Sequence, residues 1–412
     1  LLRLWIIQRY PVLDTKRHIL FLYLILLSSI GIGQPIEPSG LSANKILSVA
    51  KNAERIGDSY TAMIYYEAYL LKKPNKVGVK YDLAEIAEKN RNYGRALELY
   101  EEIDADSPDK FDMLSFKKAG VLMRLQRYDE AKSQYERFKS KNRGENMFDD
   151  YKKVVKSLMF ACDSAQFLID APLNVIIEKS GFNNPHLDHA PVPTKEGLLF
   201  TALPMSELKY YHVDSIKPKK KFYKAGTDGS IGEWSPQLFN PELDHSNGVF
   251  NPEGSRFYYT VCAVNWRGEY KCNIRMRKRK NGKWGVEEQL EEINLDGFSS
   301  SMPAVGIDAD KGREILYFVS DRPEGKGGKD IWYSVYNDRK GVFKSPRNAG
   351  KRINTSLDEV TPYYNDVERK LYFSSDGQGG LGGLDVFYAR GEMRKYTNAV
   401  MYSMTTVRVV IW

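Results

Sequence analysis

The sequence predicts a multidomain α-then-β chain, an N-terminal α-helical solenoid followed by a partial β-propeller. Two internal periods carry this reading. In the front third, Ala62, Ala96 and Ala131 recur at steps of 34 and 35 residues, as do Tyr66, Tyr100 and Tyr135. In the back half, a strand phrase recurs at steps of 59, 59 and 55 residues, starting at Leu198, Phe257, Leu316 and Leu371. Units of these lengths bury a face only by stacking on their neighbours. A hydrophobic share of 42% and a mean hydropathy of −0.49 describe a soluble chain, not a multi-span one.

Residues 1–33 read as a secretory signal with upstream residues. Lys16-Arg17-His18 precede an apolar run from Ile19 to Leu27, and Ser28 to Gly33 supply small residues before Gln34. Charged, apolar and small regions in that order mark an exported chain. The run is shorter than the about 20 residues a bilayer span needs. An uncleaved anchor is the alternative, since Trp5-Ile6-Ile7 lies upstream. No cysteine follows the run, so no lipoprotein cleavage site is expected.

Residues 34–170 read as helical repeats with a capping helix. Gly57-Asp58-Ser59-Tyr60, Asn92-Tyr93-Gly94-Arg95 and Gln126-Arg127-Tyr128-Asp129 each open a second helix. Pro74 and Pro108 stop two of these, because proline lacks the amide hydrogen and clashes with the preceding turn. The spacing and residue order are those of the tetratricopeptide repeat. The alanines are expected where paired helices cross closely. Tyr60, Tyr93 and Tyr128 are expected to fill the space beside the turns, and the tyrosine stripe is expected to be core, not a ligand box. Residues 147–168 read as a further helix, and Ala171-Pro172 breaks the pattern.

Residues 171–390 read as about four propeller blades. The phrase Ser320-Asp321 to Asp330-Ile331-Trp332 returns as Ser375-Asp376 to Asp385-Val386-Phe387, with a glycine-rich stretch between the two aspartates of each copy. A turn phrase begins at Asn251, Asp308 and Asn365, and an aromatic phrase ends at Trp234, Trp284 and Phe343. Tyr, Phe, Ile and Val between Gly, Pro, Asn and Asp mark short strands and turns. Asp321, Asp330, Asp376 and Asp385 are expected to accept nearby amides in hairpin loops. The alternative is an anion or calcium loop. Residues 391–412 read as an aberrant or truncated tail.

Cys262 and Cys272 flank the turn-like Asn265-Trp266-Arg267-Gly268, so paired flanks would bring the thiols together. In an exported chain a disulfide is the expectation. Cys162 is expected to be buried and unpaired. The net charge of +8 concentrates in Arg275, Arg277 and Arg279, on one face of a strand, and in Lys217 to Lys221. The first is either a charged strand edge that resists aggregation or a patch for an anionic partner. Nucleic acid is not expected as a partner of an exported chain.

Motifs for chemistry are absent from the sequence. It has no Gly-x-Ser-x-Gly, no His-Glu-x-x-His and no Gly-x-x-x-x-Gly-Lys, so no catalytic residue, cofactor or metal is expected. His186, Asp188 and His189 could approach a metal, but no third protein element completes the set. The expectation is a non-enzymatic binding module.

The helical repeats at 44–140 followed by Leu-Tyr-Phe-Ser-Ser-Asp-type blades resemble periplasmic proteins of Bacteroidota. In these, tetratricopeptide repeats precede WD40-like propeller repeats in OmpA family chains, including the PorE-type component of the type IX secretion system. The resemblance covers about residues 17–390 and includes the Cys262/Cys272 pair. It implies a periplasmic or outer-membrane-associated scaffold that binds envelope proteins through its helical surface. An OmpA-type domain usually follows in that family. None is present here, so cell-wall association is assigned to no residue. The alternatives are the non-catalytic propeller of a periplasmic hydrolase or peptidase, and an accessory resembling TolB.

Overall fold

The computed structural model describes residues 38–142, 146–170, 187–203 and 219–401. The signal-like segment, His186, His212 and residues 402–412 lie outside these. Seven α-helices come first: α1 (Ala43–Arg55), α2 (Ser59–Lys72), α3 (Val77–Lys89), α4 (Tyr93–Asp106), α5 (Leu114–Arg124), α6 (Tyr128–Lys141) and α7 (Asn146–Asp170). Each packs on the next, in helix pairs. No helix among the described residues is long and apolar enough to cross a membrane.

The helical period has a local cause at each end. The Asp58 carboxylate accepts the Thr61 amide at 3.2 Å and the Asn92 side chain accepts that of Arg95 at 3.3 Å, so both caps satisfy orphan donors at matching positions. The third unit has Arg127 there with no side-chain cap. Asp129 and Glu130 in its first turn complement the helix dipole instead. Ala62, Ala96 and Ala131 are all fully buried where the pairs cross. The Tyr66 hydroxyl donates to Glu54 and that of Tyr100 to Glu88, both at 2.6 Å, which ties each second helix to its first. In the third unit the partner is the Met123 sulfur, 3.4 Å from the Tyr135 hydroxyl. α7 closes the array with Val154, Val155, Leu158 and Ala161 in the common core.

The turn tyrosines differ from expectation. Arg124 lies over the Tyr93 ring and the Tyr128 hydroxyl donates to the Leu381 carbonyl at 3.1 Å, but Tyr60 is 65% exposed. At the first turn the sheet-two residue Tyr270 lies against Gly57 instead of Tyr60.

The back half is a four-blade β-propeller arrangement of antiparallel sheets. Sheet one holds β1 (Leu187–Thr194), β2 (Gly197–Leu203), β3 (Lys221–Gly226) and β4 (Ile231–Glu233). Sheet two holds β5 (Asp244–Phe250), β6 (Arg256–Val264), β7 (Tyr270–Lys280), β8 (Lys283–Trp284) and β9 (Glu288–Gln289). Sheet three holds β10 (Ser300–Ile307), β11 (Glu314–Ser320), β12 (Asp330–Asn337), β13 (Val342–Phe343) and β14 (Arg347–Asn348). Sheet four holds β15 (Glu359–Asn365), β16 (Lys370–Ser375), β17 (Asp385–Glu392), β18 (Lys395–Tyr396) and β19 (Val400–Met401).

Sheet four therefore runs past residue 390, so 391–401 are not an unrelated tail. Tyr396 takes the place of Trp284 and Phe343 and is buried between sheets three and four. The aromatic phrase is thus present in the fourth sheet, with tyrosine at its end.

Strand alternation builds the radial packing. On β11, Leu316 and Phe318 enter the core shared with sheet two, while Ile315 and Tyr317 enter the core shared with sheet four. Every residue of β11 is buried, as expected of a strand packed on both faces. Each innermost strand carries the same irregularity. The register shifts next to Ala190, Asn247, Met302 and Thr361, all at positive φ, at steps of 57, 55 and 59 residues. The bulge amides of Asn247 and Met302 donate to Thr201 and Thr260 of the preceding sheet, at 3.1 and 3.0 Å.

Glu314 bridges sheets two and three. Its buried carboxylate takes Arg256 at 2.7 Å, Asn251 at 3.1 Å and the Tyr258 hydroxyl. Removing one member of a buried pair leaves the others unsatisfied. Glu314→Ala is expected to cost ~3–5 kcal/mol in urea unfolding. An unchanged midpoint would show that the sheets do not depend on this bridge.

Candidate functional site

The helical array lies across one end of the sheets, against the loops joining the second and third strands. At sheet two that connection is a tight turn. Asn265 accepts the amides of Arg267 and Glu269 at 3.0 and 2.9 Å, and Cys262 faces Cys272 directly in the register. Their sulfurs are bonded. Arg55 at the end of α1 donates to the Arg267 carbonyl at 2.9 Å. Cys162 is free and buried in α7, and burial pushes its thiol up to about 11.

At sheets three and four the connections are the glycine-rich phrases. Asp330 accepts the amides of Lys326 and Gly327 and the Asn348 side chain. Asp385 accepts the Gly382 amide at 3.2 Å. Asp321 accepts Ser299 N at 2.6 Å and Asp376 accepts Asp358 N at 2.9 Å, each tying a loop to the start of the innermost strand. These carboxylates are occupied by backbone donors. Burial pushes Asp376 and Asp385 up to about 6, with Asp358 adding to the rise at Asp376 while Arg124 opposes it.

The fourth loop meets the helices. Arg124 at the end of α5 stands 3.9 Å from both Asp376 and Glu88. Lys117 pairs with Glu85 at 2.9 Å beside them. Leu357 packs on the helical core, and Lys153 of α7 donates to the Lys351 carbonyl at 3.3 Å. A cleft of about 160 Å³ remains between α5, α7 and the loop, lined by Lys117, Arg124, Tyr135, Asp376, Gly380 and Gly382.

The loop is anchored from below by Glu359. This fully buried carboxyl accepts Thr355 N, Thr355 Oγ1 and Ser375 Oγ, each at 2.7 Å. Burial pushes it up to about 8 against those donors.

The basic strand is not an open patch. Arg277 donates to the Gly285 and Leu238 carbonyls and lies over Phe239. Arg279 donates to the Gly282 carbonyl at 3.1 Å and lies over Trp284, and Arg275 stands 3.9 Å from Glu287. Residues 281–289 fold back over that face, so of the three only Arg279 is exposed. In the other cluster, Lys219 stands 3.9 Å from Asp244 and Lys221 3.4 Å from Glu233. Asp308, Asp310 and Glu392 gather in a metal-like trio, but Arg313 pairs with Asp308 and Arg369 with Glu392 at 3.4 Å. That trio is an ion-paired contact between the β10–β11 turn and the end of β17.

Sequence reasoning missed Asn294 and Asn354. Each bonds both the amide and the carbonyl of one residue, Ile274 and Ile331, on the third strand of its sheet. The repeated Ile293-Asn294 and Ile353-Asn354 pairs, 60 residues apart, were the available signal.

No family model matches the chain and no curated protein does. Solved structures are similar to part of it. A protein of unknown function from Dyadobacter fermentans is 14% identical, over 56% of this chain and 68% of that one, with a TM-score of 0.36. An exo-beta-1,3-galactanase from Clostridium thermocellum is 14% identical, over 57% and 53%, with a TM-score of 0.35. A puromycin-hydrolysing peptidase from Mycobacterium tuberculosis is 14% identical, over 51% and 30%, with a TM-score of 0.31. Likeness at this level assigns neither activity nor substrate.

Because the folded Glu359 titrates near 8 and the free side chain near 4.5, its stabilising contribution is complete below pH 4.5 and lost as pH rises through 8. Glu359→Gln removes that dependence. Thermal midpoints of the variant, relative to the parent, are expected to improve steadily across this interval. A constant difference would show that Glu359 is ionised throughout.

Proposed function

We propose that the chain is a non-enzymatic cell-envelope scaffold that holds partner proteins, with the front helices acting as a tetratricopeptide solenoid. On this reading it is exported and works in the periplasm or at the inner face of the outer membrane. It resembles the PorE-type, OmpA-family proteins of type IX secretion in Bacteroidota.

One observation supports a protein-binding role most directly. Large apolar side chains stand exposed at helical spacing on the outer helices. Leu71 is 87% exposed on α2, in line with Ile64 and Tyr60, and on α7 Phe160 and Phe167, two turns apart, are 71% and 70% exposed. Rows of this kind on a folded surface mark contact sites for other proteins. The helical groove itself is already taken by the fourth loop, so the outer faces are the available docking surface.

The test is cross-linking of the full chain in envelope extracts with identification of the attached proteins. Ile64→Glu/Leu71→Glu and Phe160→Glu/Phe167→Glu are expected to lose specific envelope partners while keeping the parent's circular dichroism. Identical partner sets for parent and both variants would count against a helical docking surface.

A further inference from the structure

We infer that the groove formed by α5 and α7 is a selective receptor for an uncharged, glycine-rich, aspartate-capped hairpin loop, and that the fourth loop fills it in cis. A partner using this groove must present a loop of the same chemistry and displace the resident one. This rests on reading the helical array as a docking surface.

Two copies of one loop differ in charge. Arg322, Glu324, Lys326 and Lys329 of the third copy are replaced by Gly377, Gly379, Leu381 and Leu384 in the fourth. The copy that meets the helices has lost every charge between its flanking aspartates. Among the described residues the third copy meets no helix, and it keeps its charges.

Gly379 shows why. Its φ is +90°, but positive φ alone does not demand glycine here, because Glu324 occupies the matching position at φ 67°. Space does demand it. A Cβ on Gly379 would lie 2.9 Å from the Ser157 carbonyl oxygen of α7. Gly382, at φ +121°, is confined the same way. Its Cβ would lie 2.8 Å from the Met123 carbonyl at the end of α5. Two glycines thus press the loop backbone against two helix backbones, and neither helix can give way as a flexible side chain would.

The polar contacts select as well. The Tyr128 hydroxyl donates to the Leu381 carbonyl, a contact to backbone that any residue could supply. Arg124 faces Asp376, which both loop copies share as Asp376 and Asp321. The third copy therefore has the right aspartate and is excluded by its side chains. Glu324 in place of Gly379 would strike α7.

Gly379→Glu in the full chain tests this, because the third copy proves that the loop conformation accepts glutamate. Amide exchange at 121–126 and 155–159 is expected to speed up about tenfold or more, with β10–β12 unchanged. A disulfide-closed hairpin peptide of residues 371–389 is expected to restore protection in this variant and to leave the parent unaffected. The matching peptide of residues 316–334 is expected to do nothing. Parent-like exchange in Gly379→Glu, failure of the 371–389 peptide to restore protection, or equal binding of both peptides would overturn the proposal. Each of those results concerns the groove alone and leaves the outer-face docking reading standing.

Discussion

Burial of the second strand of a sheet against both of its neighbours is the constraint on which the architecture depends. A four-stranded antiparallel sheet of short strands exposes two apolar faces and is marginal alone. Here Leu316 and Phe318 use one face of β11 and Ile315 and Tyr317 the other, and Phe257 and Tyr258 divide β6 in the same manner between sheets one and three. The sheets have to stack side by side to be folded at all. The bulges at Asn247 and Met302 then each send one amide to the sheet behind.

Stacking fixes where the connecting loops emerge. The loops of sheets two, three and four come out at one end, where the helices can span them. Arg55 reaches the sheet-two turn, Lys153 the segment before sheet four, and α5 and α7 grip the fourth loop. The hydrogen bonds from Arg55 and Lys153 go to backbone carbonyls and the tightest approaches are at glycines, while Arg124 with Asp376 and Leu357 on the helical core add side-chain contacts. Glu359 matters because it sets the base of that loop through Thr355 and Ser375.

Much of this was legible from periodicity. The alanine and tyrosine ladders located the helix pairs, and the strand phrases at Leu198, Phe257, Leu316 and Leu371 located the second strand of all four sheets. What escaped has physical reasons. Alternation places Arg275, Arg277 and Arg279 on one face but says nothing about which later segment folds over it. Tyr60 follows the same pattern as Tyr93 and Tyr128, yet exposure depends on what lies across the turn. The fourth aromatic phrase was missed because Tyr396 follows Met393-Arg394-Lys395 and not the Gly-x-aromatic pattern of Trp234, Trp284 and Phe343. The helix–loop contact had a visible trace, the loss of charge between the two loop copies. It has no meaning until a helix is known to lie there.

Helices and sheets form one body locked at the fourth loop. The most direct test is a pulsed dipolar distance measurement between spin labels at Lys72, exposed at the end of α2, and Lys340, exposed at the outer turn of sheet three. One narrow distance population is the expected result. A broad distribution would mean that the helices and sheets are merely tethered and not locked together.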